Sequence, residues 1–328
     1  EIVADHFSRS NTPADAREYW REAAIMASQK FSNAEAVAHL KKALVANENT
    51  DDQEVKLSNE IQLREMLYVP LEVVDWGSEE IADNLERLRK LQEARGDSEE
   101  LLSVLNGICG DHIMGARISD ARSVAEDMLL VKHKDSKKLA AVLGNRFIGI
   151  CDLLSGDFPS AISRLEKTID LCGQIDQQEV RKYYYADSVL MSQVYIAWCL
   201  VLSGEEEKSR KAIQAVTQSA NEAVDSHSKM YALCILASIH QSAGDPEGSL
   251  MISTRALALA REKGRSYWEA WALIMQGWAL AIGGSHIRGI EELEDGIAKY
   301  ERIGSRQMLP YANLLLADAY CSSGERQR

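Results

Sequence analysis

Long apolar runs with helical spacing alternate with short glycine-containing turns along most of the chain. The stretch "YWEAWALIMQGWALAIGG" at 267–284 is typical: it carries Trp268, Trp271 and Trp278 and ends in two glycines. Apolar residues that recur every three or four positions predict amphipathic helices. A glycine directly after such a run predicts the helix end, because the chain leaves a helix most easily with positive φ. Only five prolines interrupt a sequence rich in Ala, Leu and Glu, so an all-α fold is expected.

The turns and the residues that follow them repeat at a nearly fixed interval. The turn glycines are Gly156, Gly204, Gly244, Gly284 and Gly324, with spacings of 48, 40, 40 and 40. Small residues recur one helical turn into the next helix, at Ala36, Ala82, Ala121, Ala161, Ser209, Ser249 and Gly289. A period of this length is the signature of a solenoid, and small residues allow two helices to cross closely. The sequence therefore predicts seven helical hairpins and the first helix of an eighth, in one right-handed superhelical domain over residues 1–328.

One unit of this pattern resembles a known repeat. In "WREAAIMASQKFSNAEAVAHLKKAL", which begins at Trp20, a large residue opens the first helix, and Ala36, Leu40 and Ala43 take the small and large positions of the second. This arrangement resembles the tetratricopeptide repeat (TPR), whose usual length is about 34 residues. Here the repeat is about 40 residues, and the excess is expected in longer second helices and connections. The resemblance implies a TPR-like α-solenoid.

Longer blocks resemble a particular class of protein from end to end. "EIVADHFSRSNTPADAREYW", "LERLRKLQEARGDSEELLSVLNGI" and "YWEAWALIMQGWALAIGGSHIRGIEELEDGI" are similar to the C-terminal repeat region of bacterial STAND/AAA-type signalling ATPases, often fused to class III adenylate or guanylate cyclase domains. The resemblance implies a fragment of a longer multidomain protein that relays a protein or small-molecule signal to an ATPase and an output domain. The stretch "DWGSEEI" at 75–81 departs from the family pattern, with Glu79 where a proline is usual.

Charge and cysteine content narrow the classes of partner and compartment. A net charge of −13 repels phosphate backbones, so nucleic-acid binding is not expected. No apolar run reaches the ~18–20 residues that cross a bilayer, so no membrane insertion is expected. The six cysteines form no CxxC pair and fall mostly in apolar runs, which favours reduced thiols in the cytoplasm. Cys109 and His112 are spaced like half a zinc site without a second half, so no metal is expected.

Motifs of known chemistry are missing from the sequence. It contains no GxxxxGK[ST] phosphate loop and no GxSxG nucleophile turn, and its seven histidines are scattered. "SGEEEKSR" at 203–210 lacks the second glycine of a phosphate loop and places glutamates where phosphate would lie. We therefore expect no catalytic residue and no cofactor in this chain. Whether a longer parent protein is an enzyme stays open at this point.

The repeat register gives candidate residues for a partner-binding groove. The concave face of a solenoid, lined by the first helices, is its usual binding surface, and the register places there Arg21, Arg146, Trp198, Tyr231, Trp271, Trp278 and Tyr311. One interpretation is an aromatic groove for a protein, a peptide or an intramolecular ATPase or output domain. The other is that the rings fill space between neighbouring helices. "RKYYYADS" at 181–188 is either a lid over the groove or a helix extension.

Two further alternatives remain at the level of the whole protein. The chain is also compatible with a free-standing TPR adaptor, or with the repeat region of an ATPase-type transcriptional regulator. The last helix, around "LPYANLLLADAY" at 309–320, has no second helix in the given sequence. Its exposed apolar face predicts a homodimer through that end.

Overall fold

Every regular element in the described part of the chain is helical. The computed structural model describes residues 2–8, 13–30, 32–75, 78–96, 98–131, 136–175 and 187–324. These ranges contain sixteen α-helices, one short 3-10 turn and no strand, which confirms the all-α prediction. Among the described helices, none is both long enough and apolar enough to span a bilayer. Trp76 and Gly77 of the "DWGSEEI" stretch, and residues 181–186 of "RKYYYADS", lie outside the described residues.

The helices follow one another with short connections. In chain order they are α1 (Ile2–Ser8), α2 (Ala16–Gln29), α3 (Asn33–Asn47), α4 (Gln53–Asp75), α5 (Glu79–Arg95), α6 (Ser98–Met114), α7 (Ile118–Leu129), α8 (Lys137–Leu154), α9 (Phe158–Cys172), α10 (Ser188–Leu202), α11 (Glu206–Glu222), α12 (Ser226–Ser242), α13 (Pro246–Glu262), α14 (Ser266–Ile282), α15 (His286–Arg302) and α16 (Leu309–Ser323). Counted in chain order from α2, the described helices give seven successive pairs along the sequence and one further helix, as the period predicts. We call the first helix of each pair an A helix and the second a B helix, so α16 is the eighth A helix.

The packing of the chain divides it into two compact units. The first comprises Glu1–Asp111 and the second His112–Arg328. Helices α1 to α5 and most of α6 belong to the first unit, and α7 to α16 belong to the second. A single domain over residues 1–328 stays a prediction.

Specific residues set where the helices begin and end. The five predicted turn glycines have φ between 70° and 98°, so they do adopt the left-handed conformation that favours glycine. At the other end, an aspartate side chain accepts a backbone N–H bond at the start of four helices, namely Asp157, Asp187, Asp225 and Asp245. Such caps satisfy donors that the helix itself leaves unpaired. The structure adds Gly264 and Gly304, so turn glycines recur every 20 residues from Gly244 to Gly324.

Small residues bring paired helices into close contact, most clearly between α14 and α15. A Cβ atom added to Gly277 would lie 2.6 Å from the Gly289 carbonyl oxygen, and one added to Gly296 would lie 3.0 Å from the Ala270 oxygen. The small residues predicted in the B helices are buried, except Ala82, which is half-buried. The two helix backbones therefore touch where the repeat register places glycine.

A backbone contact joins distant parts of the second unit. The N–H groups of Arg306 and Gln307, in the connection between α15 and α16, donate to the carbonyl oxygen of Met114 at 2.8 and 3.2 Å. Met114 is the last residue of α6 and precedes the turn into α7. Residues almost 200 positions apart in the sequence therefore lie side by side, so the turn after α6 contacts the connection before α16.

Candidate functional site

Side chains from four A helices meet in the second unit. Trp198 of α10 donates its indole N–H to the Ser242 hydroxyl of α12 at 3.0 Å, and this hydroxyl lies 3.4 Å from the Tyr311 hydroxyl of α16. Tyr311 also donates to the side-chain oxygen of Gln241. The Tyr311 ring stacks on Trp271 of α14 with centroids 6.2 Å apart. We call the set Trp198, Ser238, Gln241, Ser242, Trp271 and Tyr311 the A-helix hub.

The tryptophans of the hub are packed and hydrogen-bonded. Trp271 is 2% exposed and donates its indole N–H to the Ser238 hydroxyl at 3.0 Å, and Trp198 is 7% exposed. A buried indole normally needs such a partner. The structure therefore favours the packing interpretation for these two rings. Gln241, Ser242 and Tyr311 are half-buried, and their amide and hydroxyl groups bond to one another beside the buried rings.

Trp278 extends the same arrangement by one step along α14. Its ring is buried, and its indole N–H donates to the Asp318 carboxylate of α16 at 3.0 Å. Asp318 itself is exposed. A carboxylate therefore lies at the surface directly over a buried ring, beside the hub.

Tyr231 belongs to a second cluster of aromatic residues. Its ring lies 4.7 Å from Trp268 and 6.2 Å from Tyr195, and Trp268 in turn lies 4.7 Å from Tyr267. Burial raises the pKa of Tyr267 well above its usual range and that of Tyr300 to about 12, so both hydroxyls stay protonated near neutral pH. Tyr231 is half-buried and contributes an edge of this cluster to the surface.

The two arginines predicted for the groove lie elsewhere. Arg21 belongs to α2 in the first unit and pairs with Glu18 one turn earlier on the same helix, with its Nε 3.0 Å from a carboxylate oxygen. Arg146 of α8 is 1% exposed, and its guanidinium lies 4.5 Å from the centre of the Phe147 ring. Neither is one of the side chains that meet in the A-helix hub, and their role in partner binding stays a prediction.

Repeat register relates the residues that meet here. One series with a 40-residue spacing consists of Tyr231, Trp271 and Tyr311. A second series with the same spacing consists of Trp198, Ser238, Trp278 and Asp318. The indole bonds of Trp271 and Trp278 therefore end on residues of the same repeating position. Ser238, Gln241, Ser242 and Asp318 were not among the candidates predicted from the sequence. Ser238 and Asp318 could have been predicted from the 40-residue period, because they lie one period after Trp198 and Trp278.

A cavity of about 290 Å³ lies away from the hub, between α13, α14 and α15. Leu257, Leu273 and Gln276 line it together with charged residues of α13 and α15. Its charges pair with neighbours: Arg288 contacts Glu292 at 2.9 Å, and Arg261 contacts Glu269 at 3.2 Å. Exposed pairs of this kind are typical of a solvated surface.

Three buried cysteines lie in surroundings that disfavour the thiolate form. Burial raises the pKa of Cys151 and Cys172 to about 11 and that of Cys199 to about 12. The thiolate is the nucleophilic form, so these groups are poor nucleophiles near neutral pH. Within the described ranges, no group of three or more His, Cys, Asp or Glu side chains is placed to hold a metal ion.

Comparisons with known proteins agree with this architecture. No family model matches the chain, and no curated protein matches it. The structure of RapI in its apo form covers 88% of this chain and 98% of its own, with a TM-score of 0.63 at 10% identity. A Rap protein complexed with Competence and Sporulation Factor covers 97% of this chain and 88% of its own, with a TM-score of 0.56 at 13% identity.

A third solved structure points to the same repeat. A tetratricopeptide repeat protein from Parabacteroides merdae covers 92% of this chain and 98% of its own, with a TM-score of 0.52 at 11% identity. Identities this low carry information about the fold alone. These likenesses show that the chain has a TPR-like helical-repeat fold.

Proposed function

We propose that this chain is a non-catalytic protein-interaction region that binds an extended peptide segment across the surface of the A-helix hub. The observation that carries the proposal is the meeting of four A helices at one place. There, the half-buried groups of Gln241, Ser242 and Tyr311 cover the buried rings of Trp198 and Trp271.

The chemistry of this surface suits a peptide. Amide and hydroxyl groups can donate and accept, as the backbone of an extended peptide requires. Aromatic rings beneath them supply the apolar area on which most binding free energy depends. The exposed Asp318 and the net charge of −13 favour a segment with neutral or basic side chains and disfavour nucleic acid. In the Rap complex, a similar fold holds a separate factor.

At the level of the whole protein, the proposal has two forms. In the first, binding at the hub relays a protein or small-molecule signal to an ATPase and a cyclase-type output domain of the same polypeptide, as the sequence resemblance implies. In the second, the chain is a free-standing cytoplasmic adaptor; the repeat region of a transcriptional regulator is a variant of the first. Reading the gene upstream of Glu1 separates the forms: a phosphate-loop motif in the same open reading frame supports the relay.

The binding proposal is tested with selected peptides and conservative surface variants. Peptides are selected from a displayed random library against the wild-type chain, and dissociation constants are measured for wild type, Gln241→Ala and Tyr311→Phe. Each variant removes a polar group at the hub and leaves the buried tryptophans in place, so we expect about a fivefold or greater loss of affinity. The matched control is Gln218→Ala, an exposed glutamine of the B helix α11. Peptides that bind both hub variants as tightly as the control would contradict peptide binding at the A-helix hub.

A further inference from the structure

The contact at Met114 lies directly upstream of the hub. Arg306 and Gln307, which donate to the Met114 carbonyl oxygen, precede Leu309, the first residue of α16. Tyr311 follows two residues later and provides the hydroxyl and the ring that cover Gln241, Ser242 and Trp271. The backbone bonds to Met114 therefore fix the start of the helix that carries Tyr311.

The turn that offers the Met114 carbonyl is strained. Ala116 has φ of 60°, the left-handed region that a side chain disfavours. It is position C′ of α6, since its N–H donates to Ile113 and the next N–H, of Arg117, donates to His112 at 2.7 Å. Gly156 stands one 40-residue period later, so this turn carries alanine where later turns carry glycine.

The other side of the contact carries an unsatisfied polar group. The side-chain oxygen Oε1 of Gln307 is buried and finds no hydrogen-bond partner within the described residues. A buried acceptor without a donor is unfavourable relative to its hydrated state. Opening the contact would break two backbone hydrogen bonds but would let water reach the unpaired Gln307 oxygen, whereas the left-handed conformation of Ala116 is held by bonds within the end of α6.

We propose that the contact between the α6–α7 turn (114–117) and the α15–α16 connection (303–308) is a reversible clasp that regulates access to the A-helix hub. When the clasp opens, the start of α16 is released, and Tyr311 moves away from Gln241, Ser242 and Trp271. A peptide then enters between Tyr311 and these residues and pairs with the hydroxyl and amide groups that bond to one another while the clasp is closed. This inference rests on the proposed function for its binding consequence, but the opening itself is a property of the chain alone.

The first experiment locks the clasp with a disulfide. Met114→Cys and Arg306→Cys are combined in a Cys321→Ser background, because Cys321 is the exposed thiol among the described cysteines. Hydrogen exchange of residues 309–315 is followed without peptide, in the oxidised and the reduced protein. We expect oxidation to slow this exchange by tenfold or more and to weaken binding of the selected peptides by a similar factor, with both effects reversed by reductant. The single Arg306→Cys variant under the same oxidant is the control.

A second pair of variants loosens the clasp without a new covalent bond. Arg306→Pro removes the N–H that Met114 accepts, whereas Arg306→Ala removes only the side chain and keeps that N–H. Faster exchange at 309–315 in Arg306→Pro than in Arg306→Ala supports the clasp, also if the disulfide does not form. The clasp is overturned if exchange at 309–315 is equal in the oxidised and reduced double-cysteine proteins and also equal in Arg306→Pro and Arg306→Ala. Altered exchange with unchanged peptide affinity overturns the regulatory role, and affinity that ignores the Gln241 and Tyr311 variants instead counts against the proposed function.

Discussion

The substitution Gly289→Ala adds one methyl group at the closest contact between α14 and α15 and so tests the packing of these two helices. A Cβ atom at Gly289 would lie 2.6 Å from the Gly277 carbonyl oxygen and closer still to the Ala281 nitrogen. Both atoms are backbone, so α14 and α15 would have to separate along their contact. Forcing extra volume into a well-packed site costs about 1–3 kcal/mol, and a backbone obstacle places Gly289→Ala near the upper end.

A second effect of this substitution acts in the opposite direction. Alanine inside a helix is more favourable than glycine by about 0.5–1 kcal/mol. The net expectation is therefore a loss of about 2 kcal/mol, because the clash outweighs the gain in helix propensity. For a unit of this size the loss lowers Tm by about 4–8 °C.

The assay is thermal unfolding followed by far-ultraviolet circular dichroism. The matched control is Gly173→Ala, at the end of α9 in the same unit, where an added Cβ meets nothing closer than the Asp170 oxygen at 3.5 Å. The control is expected to unfold at the wild-type temperature or slightly above it. A Gly289→Ala protein as stable as wild type would refute the close approach of α14 and α15.

Three further predictions follow from individual residues. Ala116→Gly removes a left-handed alanine that costs about 1–2 kcal/mol, but the added glycine entropy of the unfolded chain offsets about 0.4–1 kcal/mol of this. The free energy of unfolding, measured by urea denaturation, should therefore rise by about 0.5–1 kcal/mol. Native protein treated with a thiol reagent near neutral pH should be labelled at Cys321, and unfolding should be required for the buried cysteines Cys109, Cys151, Cys172, Cys199 and Cys234; rapid labelling of these in the native state would contradict their burial. Because the pKa of Tyr300 rises from 10.0 to about 12 on folding, its contribution to stability is complete below pH 10 and is lost as the pH rises to 12, and Tyr300→Phe should show a smaller loss over that range.

The sequence predicts the architecture because turn chemistry is local. Gly156, Gly204, Gly244, Gly284 and Gly324 end helices for a reason that lies in their own backbone conformation, so their spacing reveals the number of helix pairs. The same reasoning, extended by one period from Gly156, reaches Ala116, where the conformation is retained without the favoured residue. Gly264 and Gly304 carry the same signal at half the period, between the glycines that define the 40-residue interval.

The exposure of the candidate site could not be predicted in this way. Register places Trp271 and Trp278 on one face of α14, but a face is open or covered according to how tightly successive A helices wind. Tyr311 reaches Gln241 across 70 residues of sequence, and Trp278 reaches Asp318 across 40. Such contacts depend on the tertiary arrangement of several repeats, and helical periodicity contains no information about it. The structure brings the predicted Trp198, Trp271 and Tyr311 together and adds the polar groups beside them, and their role in partner binding stays a prediction.

The central claim is that a peptide binds where the A helices meet. Hydrogen exchange of the wild-type chain, measured with and without a saturating selected peptide, tests it most directly. The account predicts slower exchange at the end of α12, around residues 238–242. Protection confined to the B helices α11, α13 and α15, with residues 238–242 unchanged, would contradict it.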